Sequence, residues 1–227
     1  MSKSKIALIT GANRGIGLEL TKQYLSEGDH VIALVRNSSA DLDASNARVI
    51  DGVDVRDLSS LKRAKETLGG DFFCDLLINN SGIFLSEVFE ALDEAAFSRM
   101  EEQFLVNTLG PLKVSSVFSD ALKAGSKCIL MTSRMGSIAD NSSGSRYGYR
   151  LSKAALNMAG VSLAHDLRTR EIAVGIFHPG WVQTEMTGHT GHLTASELAT
   201  LLRKGFDNLS MEATGSFYHA NGELLPW

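Results

Sequence analysis

Along the chain, short solid apolar runs alternate with longer stretches whose apolar residues recur at helical spacing. Lys5 to Thr10 is the first run, and an amphipathic helix follows it to about Glu27, where Gly28 and Asp29 break it. His30 to Val35 and Ala47 to Ile50 read as the second and third strands. Leu58 to Leu68 has helical periodicity, with Asp57 or Ser59 as its N-cap. Cys74 to Asn79 is the fourth strand. Phe97 to Ala124 reads as one long helix kinked at Gly110 and Pro111. Lys127 to Thr132 is strand five, Arg146 to Arg170 a second long helix, Ile172 to Phe177 strand six and Gly215 to Tyr218 a short seventh.

Strands that are continuously apolar are buried on both faces. Alternating with helices, they predict an α/β fold with a doubly wound parallel sheet and helices on both sides. The chain of 227 residues, 44% hydrophobic, is long enough for one such core and has no linker or repeat. It reads as a single domain over 1–227. A net charge of −4 carries no basic footprint for nucleic acid and no polybasic run for a membrane surface. The first residues, Met1 to Lys5, lead straight into a strand without a signal-peptide pattern, and no apolar stretch is long enough to span a bilayer. Cys74 and Cys128 lie in apolar runs without CxxC spacing, which suits buried thiols in a reducing cytoplasm.

Three places carry chemistry. The first is the turn between strand one and its helix, where Gly11, Gly15 and Gly17 have the spacing Gly-x3-Gly-x-Gly. Glycine there allows a tight turn and close approach of a phosphate to a helix N-terminus. The second is the end of strand two, where a cofactor with a free ribose 2′-hydroxyl meets an acid about 20 residues after the glycines. This chain has Arg36 instead, with Arg14 inside the glycine loop, so two forked cations stand where a 2′-phosphate would project. That favours NADP(H) over NAD. The third is Tyr149 and Lys153, four apart on one helical face. On spacing alone they could be a solvated surface pair. A fixed cation beside a phenol would draw its pKa down from about 10 toward the range useful for proton transfer.

Taken in order, Thr10-Gly11-Ala12-Asn13-Arg14-Gly15-Ile16-Gly17, Asp54-Val55, Asn79-Asn80-Ser81-Gly82, Asn107, Ser133, Tyr149 with Lys153, and Pro179-Gly180 with Thr184 resemble the short-chain dehydrogenase/reductase family over essentially the whole chain. The ending from Gly215 to Trp227 and the context Tyr147 to Lys153 are similar to its C-factor-like and sniffer-like carbonyl reductase branch. The resemblance implies a Rossmann-type sheet with strand order 3-2-1-4-5-6-7 and a cofactor across the carboxyl ends of the strands. Asp54 would contact the adenine amino group with Val55 beside the ring, and Asn80, Ser81 and Gly82 would lie along the adenosine. Pro179 and Gly180 would approach the nicotinamide, Val182 its carboxamide, and Thr184 the phosphates.

The same resemblance implies reduction of a carbonyl. Tyr149 would supply the proton, Lys153 would lower its pKa and hold ribose hydroxyls, and Ser133 would donate to the carbonyl oxygen. Asn107 would tie a water to Lys153. The gap from Ser133 to Tyr149 is 16 positions (149 − 133), longer than is usual in the family. Ser137, 12 positions away (149 − 137), is a rival. Ser133 has the better context directly after strand five, with a loop insertion at Asp140 to Ser145. Ser81 stands where the family usually has alanine. A substrate loop is expected at about 183–205, with Met186 to Leu193 as a lid. His189 and His192 lack metal-ligand partners at close spacing, so no metal is expected. Ile83, Phe84 and Met135 suggest an aldehyde, ketone or quinone with an apolar body. The family also implies a homodimer or homotetramer. A non-catalytic NADP(H) sensor on the same fold is the alternative.

Overall fold

The computed structural model describes residues 4–227, and residues 1–3 at the head of the expected domain lie outside the described residues. The apolar runs become strands β1 (Ile6–Thr10), β2 (His30–Leu34), β3 (Arg48–Ile50), β4 (Cys74–Asn79), β5 (Leu122–Met131) and β6 (Ala173–His178). Two short strands, β7 (Val182–Gln183) and β8 (Leu193–Thr194), pair with each other, and β9 (Phe217–His219) returns to the main sheet. The order is β3-β2-β1-β4-β5-β6-β9, every pair parallel. This is the expected order, with β9 as the seventh strand. The topology reverses between β1 and β4, which opens a crevice beyond their carboxyl ends.

Helices α1 (Gly15–Ser26), α2 (Ala40–Asp43), α3 (Leu58–Leu68), α4 (Glu94–Phe104), α5 (Gly110–Val117), α6 (Tyr147–Leu167) and α7 (Ala195–Asn208) cover the sheet. Successive strand residues feed opposite faces. Leu8, Leu77 and Leu130 join Leu61, Phe118 and Leu156 from α3, the end of α5 and α6. Ile9, Ile78 and Ile129 join Leu20, Tyr24, Leu202 and Phe206 from α1 and α7. Cys74 and Cys128 are free and buried, and burial pushes their thiols up to about 12 and about 11. Among the described residues, no helix is long and apolar enough to cross a membrane.

Three boundaries differ from expectation. The helix predicted over 97–124 begins earlier, at Glu94, because Asp93 accepts the Ala96 amide at 2.7 Å. It then passes through a π-helical turn at Leu105–Leu109. Pro111 has no N–H to offer the Asn107 carbonyl four residues back, so the hydrogen-bond ladder slips there. The helix ends at Val117, since Arg170 takes the carbonyls of Ser119 and Leu122 and the chain can turn into an earlier β5. Of the stretch 183–205, only residues up to Thr194 are irregular or short-stranded. From Ala195 the chain is α7, opened by a Thr194–Glu197 capping box and packed on α1.

For α3, Asp57 rather than Ser59 is the cap, accepting the Ser59 and Ser60 amides at 2.8 and 3.2 Å. Asp57→Ala should lower stability by about 1 kcal/mol in urea unfolding, with an unchanged denaturant slope.

Candidate active site

Where β1 and β4 end, the sheet releases backbone groups that side chains must satisfy. The Thr10 hydroxyl accepts the Asn80 and Ser81 amides, both at 3.1 Å. The Asn80 side chain donates in return to the Thr10 and Gly11 carbonyls, also at 3.1 Å. Asn13 donates to the Asn37 carbonyl and accepts the Ser39 hydroxyl on its own carbonyl, so the glycine turn is tied to the loop after β2. Gly11 and Gly15 hold left-handed backbone, at φ 66° and 54°. A Cβ on Gly17 would lie 2.3 Å from the Gly11 carbonyl oxygen, and one on Gly11 would lie 2.8 Å from Ser81 Oγ. Helix α1 starts at this turn with no side-chain cap and no acid in its first turn. Its first N–H groups face the cleft as a cradle for an anion.

The cleft has a volume of about 470 Å³. Gly11, Asn13, Arg14, Gly15, Ile16, Arg36, Asp54, Val55, Asn80, Ser81, Gly82, Tyr149, Lys153, Pro179 and Thr184 line it. Gly17 shapes the turn from behind. Val182 is buried in the core, and Gly180, at φ 94°, sits against His219. Three expected ligands are already engaged. Asp54 holds Arg56 through both carboxylate oxygens, which keeps its acid below the usual carboxylate range. Asn80 serves the glycine turn. Arg14 pairs with Glu185 in the turn after β7. Arg36 has no ion pair among the described residues and faces the cleft. An uncapped helix start, a cradle that a Cβ would fill and a free guanidinium at the end of β2 fit a dinucleotide with a 2′-phosphate.

At the other end, Ser133 begins a single tight turn after β5 and accepts the Met135 amide at 3.1 Å. A Cβ on Gly136 would lie 2.6 Å from the Lys153 carbonyl carbon, so this turn rests directly on α6. That contact brings the Ser133 hydroxyl near the Tyr149 phenol, whose pKa it acts to lower. Ser137 instead accepts the Asp140 amide. The longer loop is clasped by Arg150, which donates to the Gly144 and Ser145 carbonyls and to Ser143.

Lys153 lies 5.7 Å from the centre of the Tyr149 ring and donates to the Met131 carbonyl at 2.9 Å. Burial pushes Tyr149 up to about 12, opposed by its hydrogen bond with Ser133. Burial lowers Lys153 to about 8. The shift on the phenol is therefore opposite to the one expected from a neighbouring ammonium. Lys153 is buried and Tyr149 half-buried on the cleft wall, and desolvation of the phenolate dominates.

Asn107 is fully buried in the π turn, and both N–H groups of its amide are engaged. Oδ1 accepts the Ile83 amide at 2.8 Å, and Nδ2 donates to the Ile83 carbonyl at 2.9 Å and to Ser152 Oγ at 3.1 Å. Its side chain therefore has no donor left for a water beside Lys153. Phe84 stands edge-on to the Tyr149 ring at 5.0 Å, while Ile83, Met186 and His189 line the cleft. Glu185 and Arg56 were not anticipated. Each acts through a partner distant in sequence or through a local turn that hydropathy does not mark.

Comparison with known proteins agrees with this geometry. The short chain dehydrogenase family model matches residues 5–193. The chain belongs to the short-chain dehydrogenase/reductase family. It is 41% identical over 155 residues to C-signal of Myxococcus xanthus, covering 67% of this chain and 92% of that protein. The carbonyl reductase Sniffer of D. melanogaster superposes with a TM-score of 0.89 at 28% identity, over 99% of this chain and all of that one. The NADPH-bound carbonyl reductase from chicken fatty liver does so at 0.86 and 29%, over the full length of both. The resemblance to the C-factor-like and sniffer-like branch is thereby supported.

Gly17→Ala should abolish dinucleotide binding, since the added methyl meets the backbone at Gly11 as well as the Asn80 side chain. Quenching of intrinsic fluorescence by NADPH, lost in the variant while circular dichroism is retained, checks this.

Proposed function

We propose that this family member reduces a small aldehyde, ketone or quinone to its alcohol with NADP(H). The observation that carries the reading is that Tyr149 and Lys153, with the buried Ser133 beside Tyr149, stand at one end of the same cleft whose other end is the uncapped glycine turn. Likeness to two carbonyl reductases, one with NADPH bound, supports it.

When bound, the cofactor supplies the hydride. The residues would do the rest. The α1 N-terminus and Gly11 to Gly17 would hold the phosphates, with Ile16 and Thr184 beside them. Arg36 would hold the 2′-phosphate. Asp54 and Val55 would border the adenine, Asn80, Ser81 and Gly82 the adenosine, and Pro179, Gly180 and Val182 the nicotinamide side. Ser133 Oγ would donate to the substrate oxygen as charge develops on it. Tyr149 would give its proton to that oxygen. A phenol held near 12 stays protonated at neutral pH and still donates readily to an alkoxide. Lys153, lowered to about 8 and so able to give up and regain a proton near neutral pH, would hold ribose hydroxyls and pass a proton to Tyr149. Asn107 would tether the resupplying water through its main-chain carbonyl, because its amide is engaged and Pro111 has no N–H for it.

The exposed apolar residues Phe97, Phe104, Leu151 and Met158 on α4 and α6 support a homodimer or homotetramer through these helices. The free thiols suit a reducing cytoplasm. Likeness to C-signal favours, as the second reading, an NADP(H)-binding signalling protein that does no chemistry. A panel of aldehydes and quinones followed by NADPH absorbance separates the two.

Tyr149→Phe should slow turnover at least about 100-fold and leave NADPH affinity intact. Tight NADPH binding without turnover of any panel member in the wild type would favour the signalling reading. Arg36→Ala should weaken NADPH and spare NADH, and equal affinities in both proteins would overturn the NADP(H) assignment.

A further inference from the structure

Residues 80–88 have no regular secondary structure, yet they form one wall beside Tyr149. Within them Glu87 is buried, with 2% exposure. One carboxylate oxygen accepts the Gln103 side-chain amide from α4 at 2.7 Å. The other accepts the Gly148 backbone amide in the first turn of α6 at 3.1 Å. The main-chain carbonyl of Glu87 takes the Arg146 amide at 2.8 Å. Gln103 in turn accepts the Leu85 amide on its own oxygen at 2.9 Å.

Helix α6 needs this help. Arg146, the residue before it, is left-handed at φ 54° and offers no side-chain cap. The first N–H groups of a helix otherwise lack partners. Gly148 brings α4 and α6 together, for a Cβ there would lie 2.5 Å from Gln103 Nε2 and 2.8 Å from the Met100 Cα. Tyr149 is the next residue. A carboxylate at a helix N-terminus also opposes the positive end of the helix dipole.

We infer that Glu87 is a positioning residue: with Gln103 it caps α6 from outside that helix and fixes the Tyr149 phenol against Ser133. The clamp is balanced in hydrogen bonds. Three donors, the Leu85 and Gly148 amides and one side-chain N–H, face three acceptor oxygens. Glu87→Gln leaves two side-chain amides between two backbone donors, so one donor must face another whichever way the amides are turned. Gln103→Glu sets two carboxylates against each other. The exchange of both restores every bond with the charge moved from the loop to α4. The inference rests on the proposed role of Tyr149, but its structural half stands apart from catalysis.

The test uses the full chain in four forms: wild type, Glu87→Gln, Gln103→Glu and the double exchange. Hydrogen exchange of the first turn of α6 is read by mass spectrometry, and kcat, KM and NADPH affinity are read with 4-nitrobenzaldehyde as probe. Each single variant should speed exchange at α6 and lower kcat on the order of 10- to 100-fold, with NADPH affinity unchanged. The double exchange should recover both. A merely structural loss would lower NADPH affinity and the active fraction together, and would not appear as a fall in kcat with NADPH affinity kept. If the single variants exchange and turn over like wild type, or the double is no better than either single, the clamp is refuted. If wild type does not reduce the probe, the catalytic reading loses support, while the exchange data still decide whether Glu87 caps α6.

Discussion

The backbone released at the carboxyl ends of β1 and β4 is the constraint on which the site depends. These strands stop in the middle of the sheet, where no neighbour continues the ladder, so their amides and carbonyls must be satisfied by side chains or water. Thr10, Asn80, Gln103 and Asn107 do this work. Thr10 and Asn80 lock the glycine turn to the end of β4. Asn107 and Gln103, four apart through the π turn, hold residues 83–85 almost as a strand would. Asn107 also reaches Ser152, so the same amide ties the cleft wall to α6. Without these bonds the glycine turn, the wall and the helix bearing Tyr149 would be three independent segments.

A second physical consequence is dryness. Ser133, Asn107 and Lys153 are buried, and Tyr149 is half-buried beside them. Low dielectric then decides the protonation states, raising the phenol and lowering the amine. At the mouth of the cleft the electrostatics differ. Arg14 with Glu185 and Arg56 with Asp54 are paired near solvent, where ion pairs exchange readily with incoming charges.

Much of the fold was legible because the strands are buried on both faces and therefore continuously apolar. The sheet order came from resemblance, and the structure agrees with it. Boundaries were less legible. Arg170 ends the α5 segment from 48 residues beyond its target at Leu122, which no local pattern reports. The glycine turn and the Tyr149–Lys153 spacing were visible, since each needs particular residue types at a fixed distance. Glu87 was not. It is one of four acids between Glu87 and Glu94, nothing local sets it apart, and its partners lie on two other elements.

By itself, then, the sequence determined the strands of the main sheet, most of the long helices (though not α7), where the glycine turn lies and which phenol has a lysine one turn away. These follow from backbone sterics and hydrophobic periodicity, which act over a few residues. Only the tertiary structure decided which serine meets Tyr149, whether Asp54 and Arg14 are free, and the direction in which the Tyr149 pKa moves. Each of these depends on desolvation and on hydrogen bonds between residues far apart in the chain, and these exist only once the sheet and α6 have packed together.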